Sequence, residues 1–205
     1  MKILKPSIFL ILLFFLSSCQ IPGAVIPNAT QPPVSTLEVV PIVPKVTPVC
    51  ISSKPAQADI DSALAYTGDL FNEPEWQQTY TVSDGSVAVT WSNDNLGAVA
   101  YLEALIFPCG YEEPDLNNFF NEENWQVVFA NYESYEAVSE CKTDSGLRLY
   151  QFKAAEQGYD YDIKYWARND TDTRVMGVMI VFPVESNSLM DEYSSDLFPD
   201  LTSCK

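Results

Sequence analysis

The clearest pattern along the chain is an alternation of apolar and polar residues in its C-terminal half. In residues 159–168, aromatic and aliphatic side chains alternate with Asp160, Asp162 and Lys164. A period of two with polar partners is typical of a half-buried β-strand. Residues 146–154 predict a strand of the same kind, and the turn residues between the two segments join them as a hairpin.

The next segment changes character, because residues 175–182 are apolar throughout. A short apolar run without alternation predicts a strand that is covered on both faces. Pro183 ends this strand. In residues 185–198 a leucine or tyrosine recurs every four positions from Leu189 to Leu197, which predicts an amphipathic helix lying on the sheet.

The N-terminal half predicts more elements of the same two kinds. Ser83-Asp84-Gly85-Ser86 is typical of a hairpin turn, since Asp-Gly suits positive φ, and Pro114 favours the start of a short helix. Strands are predicted at 79–82, 87–91, 98–107 (where a helix is the alternative), 126–132 and 135–141, and a weaker helix at 59–71. Together these elements predict an α+β fold, mainly an antiparallel sheet flanked by helices, with the C-terminal helix packed on the sheet.

The segment from about Trp125 to Phe198 resembles the PsbP-like α/β/α sandwich. The likeness lies in the succession of a glycine-led strand, an aromatic strand, an apolar strand and a helix. It covers under half of the chain and concerns pattern, so it implies a fold and carries over no functional residue.

The first residues have the three parts of an export signal. Lys2 and Lys5 precede nine apolar residues, a run too short to span a bilayer, and Leu16-Ser17-Ser18-Cys19 follows. These four residues resemble the lipobox of bacterial lipoproteins. The resemblance implies cleavage before Cys19 and lipid on its thiol, hence an extracytoplasmic protein anchored in the cell membrane or outer membrane. The alternative is an ordinary secretory signal that ends in cysteine.

A proline-rich stretch separates this signal from the rest of the chain. Seven prolines fall between Pro22 and Pro48, and no aromatic residue occurs between Phe15 and Tyr66. Such a composition cannot bury enough apolar surface to offset its ordering entropy. We therefore expect a signal peptide at 1–18, a disordered tether at 19–49, and one domain at 50–205.

The charge balance limits the choice of partners. After loss of the signal, 28 acidic residues face nine basic ones, a net charge of −19, and no lysine or arginine occurs between Lys54 and Lys142. A field of this sign repels nucleic acid and anionic lipid, which leaves the acyl chains on Cys19 as the membrane contact. A soluble acidic surface explains the charge better than a cation-collecting site does.

Four cysteines remain after Cys19, and an even number in an exported domain predicts disulfides. Proximity of the domain ends favours Cys50 with Cys204, which leaves Cys109 with Cys141. A metal site is not expected, because the four cysteines are widely spaced and the chain has no histidine.

Absence of histidine also removes the usual general base and the Ser-His and Cys-His nucleophile pairs. Ser139 and Lys142 match S-x-x-K, but the companion motifs of that acyl-enzyme family are missing. No catalytic residue and no cofactor are therefore predicted.

Three residues remain as a candidate ligand surface: Trp166, Asp160 and Asp162. The two aspartates are close enough on one strand face for carboxylate chemistry, although charge pairing with Lys164 is the simpler explanation. Trp166 attracts notice because it falls on the polar face of its strand. The segment from Asp170 to Asp172 resembles the start of a calcium loop without its glycine.

The leading hypothesis is therefore a lipid-anchored extracytoplasmic domain that binds a ligand or assists envelope assembly without catalysis. Its expected partners are the membrane, through Cys19, and an envelope protein or a glycan, but no nucleic acid. The alternatives are a hydrolase that uses Asp160 and Asp162, and a calcium- or glycan-binding module.

Overall fold

The computed structural model describes residues 54–205. The predictions made for the signal peptide at 1–18, the lipid site Cys19, the tether at 19–49 and Cys50 lie outside these residues.

Within the described range the chain forms four α-helices, one turn of 3-10 helix and seven strands. The helices are α1 (Gln57–Ala65), α2 (Glu113–Phe119), α3 (Glu122–Val128) and α4 (Asn187–Leu197), with the 3-10 turn at Val184–Ser186. The strands are β1 (Gln77–Ser83), β2 (Ser86–Asn93), β3 (Ala98–Ile106), β4 (Ser134–Lys142), β5 (Arg148–Glu156), β6 (Tyr159–Thr171) and β7 (Arg174–Pro183).

All neighbouring strands pair antiparallel, in the order β1-β2-β3-β7-β6-β5-β4. The chain thus builds one meander from β1 to β3 and a second from β4 to β7, and the two meet where β3 pairs with β7. The predicted α+β fold is confirmed in outline, and the sheet dominates it. The hairpin turn at Asp84-Gly85 is confirmed as well, since Gly85 has φ 81°.

Helices cover both faces of the sheet, so the described residues form three layers. One face packs against α1 and α4 and includes Trp91, Trp166 and Phe182. The opposite face packs against α2 and α3 and includes Tyr150 and Tyr165. Strand β7 is buried along most of its length because it lies at the centre of the sheet, between two helical layers.

Strand β6 forms where it was predicted, but it is not half-buried: residues 163–167 are buried on both faces, because the polar face is turned inward under α4. The buried Lys164 donates from Nζ to Asp191 Oδ1 at 2.9 Å and to Ser194 Oγ at 3.0 Å. Lys164 therefore holds the C-terminal helix on the sheet, whereas the sequence predicted charge pairing with Asp160 and Asp162. The helix itself and its position on the sheet are confirmed.

One predicted element is wrong. Residues 126–132, expected as a strand, form the end of α3 and the turn that follows it. Asn121 caps this helix by accepting a hydrogen bond at Oδ1 from the backbone N–H of Asn124 at 3.0 Å. The helix is then fixed by Trp125 and Phe129, which lie one turn apart and both enter the core.

The predicted cysteine pairing is also wrong. Cys141 bonds to Cys204, not to Cys109, across a sequence separation of 63 residues. The bond is possible because the chain after α4 returns along β5, where the backbone N–H of Cys204 donates to Gln151 Oε1. Cys109 is disulfide-bonded too. The C-terminal segment is thereby fastened to the β4–β5 side of the sheet.

No helix within residues 54–205 has the length and apolar character that crossing a bilayer requires.

Candidate functional site

The structure separates the three residues that the sequence proposed as a ligand surface. Asp160 is exposed, and Asp162 accepts a hydrogen bond at Oδ2 from Asn187 Nδ2 at 2.6 Å. Both aspartates border an open, polar depression together with Glu136 and Lys153. This arrangement offers carboxylates to solvent, and it contains no enclosed space in which a substrate would lose its water.

Trp166 belongs to the core instead. Its side chain is 0% exposed, its ring stacks on Phe198 at a centroid distance of 5.1 Å, and Nε1 donates to the carbonyl oxygen of Leu201 at 2.8 Å. The expectation of a surface tryptophan fails because α4 and the C-terminal segment cover the polar face of β6. Trp166 therefore takes no part in a ligand surface.

The segment from Asp170 to Asp172 lies beside a second open depression, which Glu112 and Asp115 also line. The Asp170 carboxylate is already paired, because the Arg174 guanidinium donates a hydrogen bond to its Oδ2 at 2.6 Å. Among residues 54–205 no group of three or more cysteine, aspartate or glutamate side chains is arranged to hold a metal ion.

Ser139 and Lys142, the S-x-x-K match, lie on the edge strand β4. Ser139 Oγ donates to Gln151 Oε1 at 2.9 Å, whereas Lys142 Nζ pairs with Glu113 on α2. The two side chains thus have separate partners.

The structure reveals a site that the sequence did not: an aromatic cavity of about 490 Å³ between α3 and the sheet. Pockets of this size and composition are typical of small-ligand sites. The cavity is lined by Tyr101, Glu103, Phe119, Phe120, Asn124, Trp125, Val127, Val128, Tyr132, Tyr165 and Met179.

The floor of the cavity consists of two rows of residues that run across three paired strands. In the first row Tyr101 of β3 pairs with Met179 of β7, which pairs with Tyr165 of β6. In the second row Glu103 pairs with Gly177. Because Gly177 has no side chain, space remains above the centre of the sheet.

Tyr165 fills part of that space. A Cβ atom at position 177 would collide with the Tyr165 hydroxyl, so the ring leans diagonally across β7 over Gly177. This orientation directs the hydroxyl toward β3, where Glu103 is the register partner of Gly177. On the helical side, Trp125 and Phe120 contact the Tyr165 ring at centroid distances of 5.2 Å and 5.7 Å.

Two helices form the roof of the cavity, and a charge cluster holds them in place. The buried guanidinium of Arg148 donates to Asn117 Oδ1 at 2.6 Å and to Glu113 Oε1 at 3.0 Å, which fixes α2 over β5. Asn124 on α3 donates from Nδ2 to the carbonyl oxygen of Phe119 and so joins the two helices.

The mouth of the cavity faces solvent. Val127 is 73% exposed and Val128 is 42% exposed, although both are apolar. The residues that pack under α2 and α3 include none from β1 or β2, so this helical layer ends near β3. A small molecule could therefore enter beside α3 without passing through the core.

Burial controls the electrostatics of the cavity. It raises the pKa of Glu103 above its ordinary value, against the lowering effect of hydrogen bonds from Ser86 and Tyr101. Burial also raises the pKa of Tyr165 well above its usual range, and that of Tyr132 to about 12. The tyrosines are therefore neutral hydrogen-bonding groups, and Glu103 is the lining group that can carry charge.

The sequence contained two signals for this cavity. Glu103 is a lone charged residue in the otherwise uncharged strand Ala98–Ile106, and Gly177 is a lone glycine inside an apolar strand. A charged residue inside an apolar strand and an interior strand glycine each indicate a close approach or a function. Neither signal shows that the two residues are register partners.

No protein-family model matches this chain, and no match to it is found among the curated proteins. The class of protein is therefore defined by fold and site: a sheet-dominated α+β domain with an aromatic, carboxylate-bearing cavity between helix and sheet.

Proposed function

We propose that this protein is a lipid-anchored extracytoplasmic binding protein, and that its domain holds a small, largely apolar ligand in the cavity between α3 and the sheet. One observation carries the proposal: a cavity of about 490 Å³ that is lined by aromatic rings and contains a partly buried carboxyl group, Glu103. A preformed apolar cavity with few polar groups is the usual form of a small-molecule site.

The loss of stability that comes with a carboxyl group in this cavity also indicates that the cavity has a function. A core of this kind would be more stable if Glu103 were apolar, because burial disfavours the ionised carboxylate. Polar groups that reduce stability are typical of functional sites, where stability is traded for activity.

The anchor remains part of the proposal, on the grounds of the Leu16-Ser17-Ser18-Cys19 resemblance. The helix, sheet and helix layering of residues 54–205 supports the proposed likeness to the PsbP-like fold. An envelope protein or a glycan stays a possible partner of the outer surface, whereas the net charge argues against nucleic acid.

Titration of the purified full chain with N-phenyl-1-naphthylamine, a neutral apolar fluorophore, tests the cavity. We expect saturable binding at one site. Met179→Phe should weaken it by about tenfold, since the larger ring takes up space on the cavity floor. Val82→Phe on β1, where the side chain is partly exposed and lies outside the cavity, is the matched control.

Absence of saturable binding to the wild-type chain would overturn the proposal, as would equal loss in both variants. A thermal melt of each variant separates loss of the cavity from loss of the fold. Intact mass of the mature protein tests the anchor, because acylated Cys19 carries the mass of the lipid and a free amino-terminal cysteine does not.

A further inference from the structure

The cavity has a pronounced asymmetry of charge. Among residues 54–205, the groups lining it include one carboxyl, Glu103, but no lysine or arginine. An anionic ligand would meet Glu103 with no positive group to balance it. Burying two like charges, or one unpaired anion, is strongly unfavourable.

The other polar groups do not change this balance. Asn124 uses its Nδ2 for the carbonyl oxygens of Phe119 and Asn118, so its amide donors are already engaged. The phenols of Tyr101, Tyr132 and Tyr165 stay neutral, because burial raises the pKa of each hydroxyl. None of these groups supplies a positive charge to the cavity.

The remaining lining is suited to a positive group. Six aromatic rings face the cavity: those of Tyr101, Phe119, Phe120, Trp125, Tyr132 and Tyr165. Aromatic faces attract ammonium groups that lie within about 6 Å of the ring centre. The rings also bury the hydrocarbon part of a ligand.

The wider field acts in the same direction. The chain has a formal net charge of −17, and the whole segment that forms β1, β2, β3, α2 and α3 lies between Lys54 and Lys142 and contains no basic residue. Such a field concentrates cations near the mouth and repels anions.

We propose that the ligand is an organic ammonium ion, whose cationic group pairs with Glu103 and whose hydrocarbon part lies among the aromatic rings. This inference rests on the proposed binding function and specifies its ligand class. The ammonium ion would replace the water that an ionised Glu103 loses on burial.

Three probes of similar size and different charge test the inference: 2-phenylethylammonium, 2-phenylethanol and phenylacetate. Isothermal titration of the full chain at pH 7.5 should give the tightest binding for the cation, by about tenfold over the alcohol, and the weakest for the anion.

The variant Glu103→Gln removes the charge and keeps the shape. It should abolish the preference for the cation, so that 2-phenylethylammonium and 2-phenylethanol bind with similar affinity. Glu123→Gln, on the exposed surface of α3, removes the same charge outside the cavity and should retain at least half of the preference.

The possible failures are distinguishable. If neither N-phenyl-1-naphthylamine nor any of the three probes binds, the proposed function fails with the inference. If the fluorophore binds and none of the three probes does, the binding function stands and the ligand class is wrong. If the alcohol or the anion binds as tightly as the cation, or if Glu103→Gln retains the preference, the binding function stands and the ligand class is wrong.

Discussion

The hydroxyl of Tyr165 lies over the backbone of Gly177, on the neighbouring strand, at the place where any other residue would put its Cβ. This contact determines how the centre of the cavity is built. The ring leans across β7 because Gly177 leaves the space empty, and its hydroxyl thereby reaches the side of the sheet on which Glu103 lies.

Gly177→Ala should therefore destabilise the domain by about 1–3 kcal/mol, the usual cost of overpacking, since the Tyr165 ring must move away from the new methyl group. In a Tyr165→Phe background the same change should cost about 1 kcal/mol less, because the closest clashing atom is gone. Urea unfolding of the four proteins measures the coupling. Equal costs in both backgrounds would show that the two residues do not interact.

Glu103→Gln should make the free energy of unfolding less dependent on pH. Burial raises the pKa of Glu103, so the folded protein binds this proton more tightly than the unfolded chain does. The stability from that proton is fully present below the ordinary pKa of 4.5 and is lost as the pH rises through the raised pKa.

The variant should accordingly gain stability over the wild type as the pH rises from the ordinary pKa of 4.5 through the raised pKa of Glu103, by up to about 1.4 kcal/mol per pH unit. The groups that face Glu103, namely Ser86, Tyr101 and Tyr165, stay neutral over this range because burial raises both phenol pKa values. Urea unfolding at several pH values gives the difference directly. A constant difference would mean that Glu103 is not the titrating group.

Loss of the Cys141–Cys204 bond should cost about 4 kcal/mol, the chain-entropy value for a loop of this length. Cys141→Ser, Cys204→Ser and the double variant should be destabilised similarly, since each removes the same crosslink. Chemical denaturation of the three variants checks this. A peptide map without reductant should contain a Cys141–Cys204 peptide. A Cys109–Cys141 peptide would contradict the structure and support the pairing that the sequence favoured.

Trp166→Phe should destabilise the domain by about 1–3 kcal/mol, because it removes the hydrogen bond to Leu201 and part of the contact with Phe198. Its effect on ligand affinity should be negligible. Trp125→Phe is the matched comparison, since Trp125 lines the cavity and its loss should weaken binding. Denaturation and fluorophore titration of both variants separate the two roles; weaker binding in Trp166→Phe would return that residue to the ligand surface.

The sequence predicted much of the fold, because the pattern of each strand is local. Period-two alternation located β6, an uninterrupted apolar run located β7, and Asp84-Gly85 located the first hairpin. Residues 126–132 were wrongly predicted as a strand because their apolar residues suit either period. Tertiary packing favours the helix, since only a helix directs both Trp125 and Phe129 into the same core between α3 and the sheet.

The alternation, the acidity, the lack of histidine and the even number of domain cysteines can all be read from the amino-acid sequence. The tertiary structure alone decided which cysteines meet, because a covalent pair requires two distant segments to lie side by side. It also decided the site. Trp166 and Glu103 each interrupt the pattern of their strand. The layer that contains α4 buries Trp166, whereas the helices on the opposite face leave Glu103 in a cavity. Strand register then sets Glu103 against Gly177, 74 positions later, and a relationship over that distance depends on the whole sheet.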